Sequence, residues 1–79
     1  MKAKVYVTPK KSVLDPQGKA VQHALASLGF SEVKDVRVGK YIEIELGEIQ
    51  KNQAEQKIKT MCEKLLANMV IEEYRFELN

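Results

Sequence analysis

The sequence is short of the residues on which most self-contained chemistry rests. It has one cysteine, one histidine and no tryptophan among 79 residues. One cysteine, Cys62, excludes an internal disulfide and suits a reducing compartment. The lone histidine, His23, has no second histidine or cysteine at ligand spacing, which excludes the usual zinc patterns and leaves a surface histidine. A surplus of one charge sign is also missing. Thirteen basic and eleven acidic residues leave a formal charge of +2, with the signs interspersed. That balance points to neither nucleic acid nor an anionic membrane as partner. No apolar run approaches the length of a membrane span, and Met1-Lys2-Ala3-Lys4-Val5 does not open a signal peptide. A cytoplasmic protein is the expectation. Repeats, low-complexity tracts and boundaries are absent too, so residues 1–79 read as a single domain. A domain this small hides only about 60% of its unfolded surface, so self-association would add stability.

What is present is periodicity. Lys2 to Thr8 alternates, with Ala3, Val5 and Val7 on one face and Lys4, Tyr6 and Thr8 on the other, a half-buried strand that Pro9 ends. Asp15 and Pro16 carry a helix-start signal: a carboxylate to cap the free amides and a proline at the first helical position. The helix that follows places Ala20, Val21, Ala24, Leu25 and Leu28 on one apolar stripe. Gly29 is placed to stop it in the left-handed conformation, with Phe30 folding back. Val36-Arg37-Val38-Gly39-Lys40-Tyr41-Ile42-Glu43-Ile44-Glu45-Leu46 then alternates on both sides of Gly39. It is either a true hairpin or one long bent strand with a glycine bulge. After Gly47 a second helix is expected, with Asn52 and Glu55 at capping-box spacing. Its stripe is Ala54, Ile58, Met61, Cys62, Leu65, Leu66 and Met69, and Asn68 is its expected end in the left-handed region. A last strand, Val70 to Leu78, alternates Tyr74, Phe76 and Leu78 against Glu73, Arg75 and Glu77.

The order is strand, helix, strand, strand, helix, strand. This predicts an α+β ferredoxin-like plait, βαββαβ, with two helices on one face of an antiparallel sheet. The open face would carry Lys2, Lys4, Tyr6, Arg37, Tyr41, Glu43, Glu45, Glu73, Arg75 and Glu77. Such a face is either a solvated, salt-bridged surface or a docking face for another copy or another protein. Cys62 lies on an apolar stripe and reads as a small core residue. Glu43 and Glu45 alternate with β-branched residues and read as a strand face, not an acid–base pair. Gly39-Lys40 lacks the glycine spacing and the following helix of a phosphate loop. An RNA-binding plait would need aromatics on both central strands; Tyr6 and Tyr41 are there, but acidic residues share the face.

Several blocks together resemble a known family. Val13-Leu14-Asp15-Pro16-Gln17-Gly18-Lys19-Ala20-Val21, Ala24-Leu25, Leu28-Gly29-Phe30, Val36-Arg37-Val38-Gly39-Lys40, Cys62-Glu63-Lys64-Leu65-Leu66-Ala67-Asn68 and Val70-Ile71-Glu72 look like the PurS subunits of phosphoribosylformylglycinamidine synthase. The likeness runs through almost the whole chain. It implies a small dimer-forming subunit, or a tetramer, in de novo purine biosynthesis. Such a subunit assembles a large synthetase subunit with a glutaminase and supports ammonia transfer between them. The complex converts formylglycinamide ribonucleotide to the amidine with ATP and glutamine. ATP and magnesium then belong to the synthetase, and this chain has no catalytic residue, cofactor or metal of its own. Asp15, Pro16, Gly18, Gly29 and Gly39 match structural positions, and Arg37, Lys40, Tyr41 and Glu43 are the candidates for subunit contact. Ser12 and Met69 depart from the family pattern, which usually has glycine and proline there. A plait that binds a small regulatory ligand is the alternative.

Overall fold

Strict alternation along Lys2–Pro9 makes this segment, β1, the central strand of the sheet. The computed structural model describes every residue from Met1 to Asn79. After β1 come helix α1 (Pro16–Ser27), strand β2 (Lys40–Glu45), helix α2 (Lys51–Met61) and strand β3 (Glu72–Leu78). The sheet order is β2-β1-β3, antiparallel throughout. Val5 lies opposite Ile42 on one side and Phe76 on the other, which fixes the register that gives the sheet one dry face.

That face meets α2. Ala3, Val5 and Val7 are fully buried against Ile58, Cys62 and Ala67, with Ile42, Ile44, Tyr74, Phe76 and Leu78 packed around them. Only eight residues are buried in all, and none is polar or charged. So small a core leaves a narrow stability margin, since about 1 kcal/mol is already a large share of a small domain's total.

The α+β plait read from the sequence is the arrangement found, with a helix in each crossover and an antiparallel sheet. Its sheet has three strands, because the first arm of the expected hairpin joins no ladder. The Val38 N–H goes instead to a side-chain oxygen of Asp15, at 2.9 Å. Gly39 lies so close to the Val7 carbonyl that a β-carbon there would collide with it. Val36–Gly39 is thus an extended lead-in to β2, held by two different neighbours.

The helix ends divide. Asp15 caps α1 through the Gly18 N–H (3.1 Å) and Pro16 takes the first helical position, as expected. Gly29 has φ +100°, the Phe30 N–H reaches the Leu25 carbonyl (2.9 Å), and the Gly29 N–H reaches that of Ala26 (3.0 Å). These two bonds form the glycine stop in full. At α2 the capping box does not form. Gln50 occupies the cap without a side-chain bond, and Asn52 Oδ1 accepts from its neighbour Gln53. Asn68 is not left-handed either, since no residue but glycine has positive φ. Its side chain caps the Val70 N–H (3.1 Å) while its carbonyl accepts from Ile71 and Glu72.

The last turn of α2 widens into a π-helix over Cys62–Leu66, closed by the Ala67 N–H on the Cys62 carbonyl (2.9 Å). One extra residue in the turn rotates everything beyond it. Leu65, expected on the buried stripe, is therefore 81% exposed, and Met69 is exposed as well.

Helix α1 departs most from expectation. Gly18 is its only buried residue, and Leu28 is 73% exposed. The helix makes no extensive contact with the strands or with α2. It stands off the sheet, and the molecule measures 49 × 24 × 14 Å.

Candidate assembly surfaces

Two surfaces and one backbone joint are built by this fold. The first surface is the sheet face away from α2. Tyr6 and Tyr41 face each other across β1 and β2 with ring centroids 5.2 Å apart. The Arg75 guanidinium lies over the Tyr6 ring at 3.9 Å, a cation–π pairing. Tyr41 donates from its hydroxyl to Glu43 Oε2 at 2.8 Å. That bond, ahead of desolvation and the Glu43 charge, pushes the phenol up to about 12. Lys2 lies 3.9 Å from both Glu43 and Glu45, and Arg75 lies 3.2 Å from Glu77. Exposed pairs of this kind contribute about 0–1 kcal/mol each, so they order the face without holding the fold together. Tyr6, Thr8, Arg37, Glu73, Tyr74 and Arg75 line an open depression of about 330 Å³ at its upper end.

The four contact candidates are not brought to one place. Tyr41 and Glu43 share the open face and a hydrogen bond. Arg37 is half-buried: its guanidinium donates to the Pro9 carbonyl at 2.8 Å and meets Glu73 at 3.4 Å. Lys40, opposite Val7 in the ladder, turns to the helical side and donates to the Leu66 carbonyl at 3.3 Å. Tyr6 and Arg75 complete the aromatic group. Alternation had placed both on this face, but nothing in local sequence shows that a guanidinium 69 positions away stacks on that ring.

The second surface is the stripe of α1, where Val21 and Leu28 are exposed and Leu25 is half-buried, with the exposed Phe30 just beyond the helix. An apolar stripe left uncovered beside a polar surface is a candidate contact surface. The third feature is the joint where α1 meets the sheet. One Asp15 oxygen accepts from Gly18 and the other from Val38. The Val38 bond first, then the Gly18 bond, holds the carboxyl below its usual range. Gly18 itself lies against the Val36 carbonyl, where a β-carbon would not fit.

Cys62 is fully buried, and burial pushes its thiol up, with Glu63 adding to the effect. His23 is exposed on α1. No group of three or more His, Cys, Asp or Glu residues is placed to hold a metal ion, and no helix is long and apolar enough to cross a membrane.

Fold and surfaces together define a small α+β plait module with an uncovered apolar helix, the kind of chain that assembles with others. Residues 2–79 match the family model of PurS, phosphoribosylformylglycinamidine (FGAM) synthase. The chain is 58% identical over 77 residues to the FGAM synthase subunit PurS of Bacillus subtilis, covering 98% of this chain and 90% of that one. It is 52% identical over 75 residues to the Synechocystis PurS, covering 95% and 75%. A crystal structure of the B. subtilis PurS superposes with a TM-score of 0.85 at 59% identity, over 96% of this chain and 94% of that one. A chain in the structure of PurLQS from Thermotoga maritima gives 0.86 at 34% identity, over 96% and 93%. The chain belongs to the PurS family of phosphoribosylformylglycinamidine synthase subunits.

Proposed function

We propose that this chain is the assembly subunit of an FGAM synthase complex in de novo purine biosynthesis. It acts as a homodimer that bridges a large synthetase subunit and a glutaminase and supports ammonia transfer between them. The observation that carries the reading is the end-to-end likeness to the chain in the Thermotoga PurLQS structure. In this reading ATP and magnesium are used by the synthetase, and this chain contributes surfaces.

The dimer is supported by the molecule's excess surface. A compact monomer of 9.0 kDa exposes about 4,900 Å², whereas this chain exposes 5879 Å². The difference, roughly 1,000 Å², is close to the ~800 Å² that each partner contributes to a standard interface. The radius of gyration points the same way, at 15.9 Å against roughly 12 Å for a compact chain of this length. The stripe of α1 is one uncovered apolar part of that surface, beside the exposed Leu65, Met69 and Val70 that follow α2, and a second copy is the occupant the reading assigns to it.

Sedimentation of the purified chain, alone and mixed with the two larger subunits, tests the proposal. A dimer that enters a three-component complex is the expected result. A monomer that passes both subunits by would refute it.

A further inference from the structure

The side-chain bonds that tie helix α1 to the segment beside β1 are made at its head. Along its length Gln22 Nε2 donates to the Lys34 carbonyl at 3.2 Å, but Lys34 lies in the link that leaves the helix, not in the sheet. The only carboxylate joining helix to sheet side is Asp15, with one oxygen on the Gly18 N–H (3.1 Å) and the other on the Val38 N–H (2.9 Å). The Val36–Gly39 segment is in turn fixed to the end of β1, through Arg37 on the Pro9 carbonyl (2.8 Å) and Gly39 against Val7. We propose that Asp15 is a positioning residue, a latch that sets the angle at which α1 projects and so where its stripe meets a second copy. The inference rests on the dimer reading above.

Leverage makes the latch matter. Twelve helical residues span roughly 18 Å at 1.5 Å each. A swing of about 20° at the head would move the far end roughly 6 Å, beyond the ~4.5 Å reach of an apolar contact. A cap alone would not need this residue, since Asn caps a helix as well as Asp does. Asn has one acceptor oxygen where Asp has two, so it can serve Gly18 only by turning its NH₂ toward the Val38 N–H. Asp15→Asn thus keeps the cap and opens the latch, and Asp15→Ser does the same with a shorter side chain.

The test combines sedimentation equilibrium at neutral pH with residual dipolar couplings, which report the direction of α1 relative to the sheet. For Asp15→Asn we expect unchanged helix content, a dimer dissociation constant raised about tenfold, the equivalent of one net hydrogen bond, and α1 couplings that no longer fit the alignment of the sheet. A dimer as tight as wild type with α1 unmoved would overturn the latch. Should both variants fail to fold, hydrogen exchange in the wild type decides. The Val38 amide is expected to be protected although it lies in no strand, and exchange at open-loop rates would overturn the inference. A monomeric wild type would refute the dimer reading, and the couplings would then judge the latch alone.

Discussion

Asp15 is where a single side chain determines most about this molecule. Its carboxyl ordinarily titrates at 3.8 and is held lower in the folded chain, chiefly by the Val38 N–H and next by the Gly18 N–H. The unfolded state therefore binds the proton more readily, and the charged form favours folding. This contribution is present in full above the unfolded value and is lost as pH falls through the depressed folded one. Lys11, Lys19, Asp35 and Arg37 line the small cavity around it, and Arg37 adds to the lowering. Acid unfolding of wild type should accordingly show a component at the bottom of the carboxylate range that Asp15→Asn lacks, measured by ellipticity between neutral pH and pH 2. Cys62 supplies a second prediction at this scale. Buried among Val5, Val7 and Ile58 and pushed up in pKa, its thiol should react with a disulfide reagent about two orders of magnitude more slowly in the native chain than in urea. Equal rates would show that the core opens easily. The cap role of Asp15 was legible because it is local, three residues from its donor. Its bond to Val38 spans 23 positions and left no periodic trace; only the presence of Gly18 and Gly39 in the two blocks concerned hints at close backbone approach.

Among the elements, α1 carries the sharpest test. Leu28 is 73% exposed at the end of the helix, where a lysine also suits the negative end of the dipole. In an isolated chain Leu28→Lys should therefore be neutral within about 0.5 kcal/mol. If a second copy covers the stripe, the same change buries a charge and should weaken the dimer by tenfold or more, about 1.4 kcal/mol. Sedimentation and urea titration of the one variant separate the two cases. The stripe itself was legible from its spacing, but periodicity states that a face is apolar, not which chain covers it. Alternation gave β1, and gave β3 over Glu72–Leu78, because both faces of each strand obey it; Val70 and Ile71, expected in that last strand, form the turn before β3. It overreached at Val36–Val38, where the donor that a ladder needs is taken by a side chain. The stripe of α2 held through Cys62 and failed at Leu65 because a π turn inserts a residue, and a 3.6-residue period has no means of announcing that.

At the scale of the whole molecule, the sheet and α2 make a small closed core while α1 and the sheet's far face are left to the outside. Residues 2–79 belong to the PurS family, and under the proposed function that division has a use, with one part holding shape and the other meeting partners. Of the four contact candidates, Arg37 and Lys40 are bonded to backbone carbonyls of the chain, whereas Tyr41 and Glu43, bonded to each other, stand on the open face. Tyr41→Ala with Glu43→Ala should therefore loosen any subunit docked on that face while leaving the dimer intact. Co-sedimentation with each larger subunit would show a loss of at least about threefold in affinity, consistent with one aromatic contact. Unaltered affinity for both subunits would move the docking site elsewhere. The most direct measurement is amidine formation by the synthetase and glutaminase with and without this chain, driven once by glutamine and once by free ammonia. A coupling subunit predicts that omitting it abolishes the glutamine-driven rate and largely spares the ammonia-driven one. A full glutamine-driven rate in its absence would contradict the account.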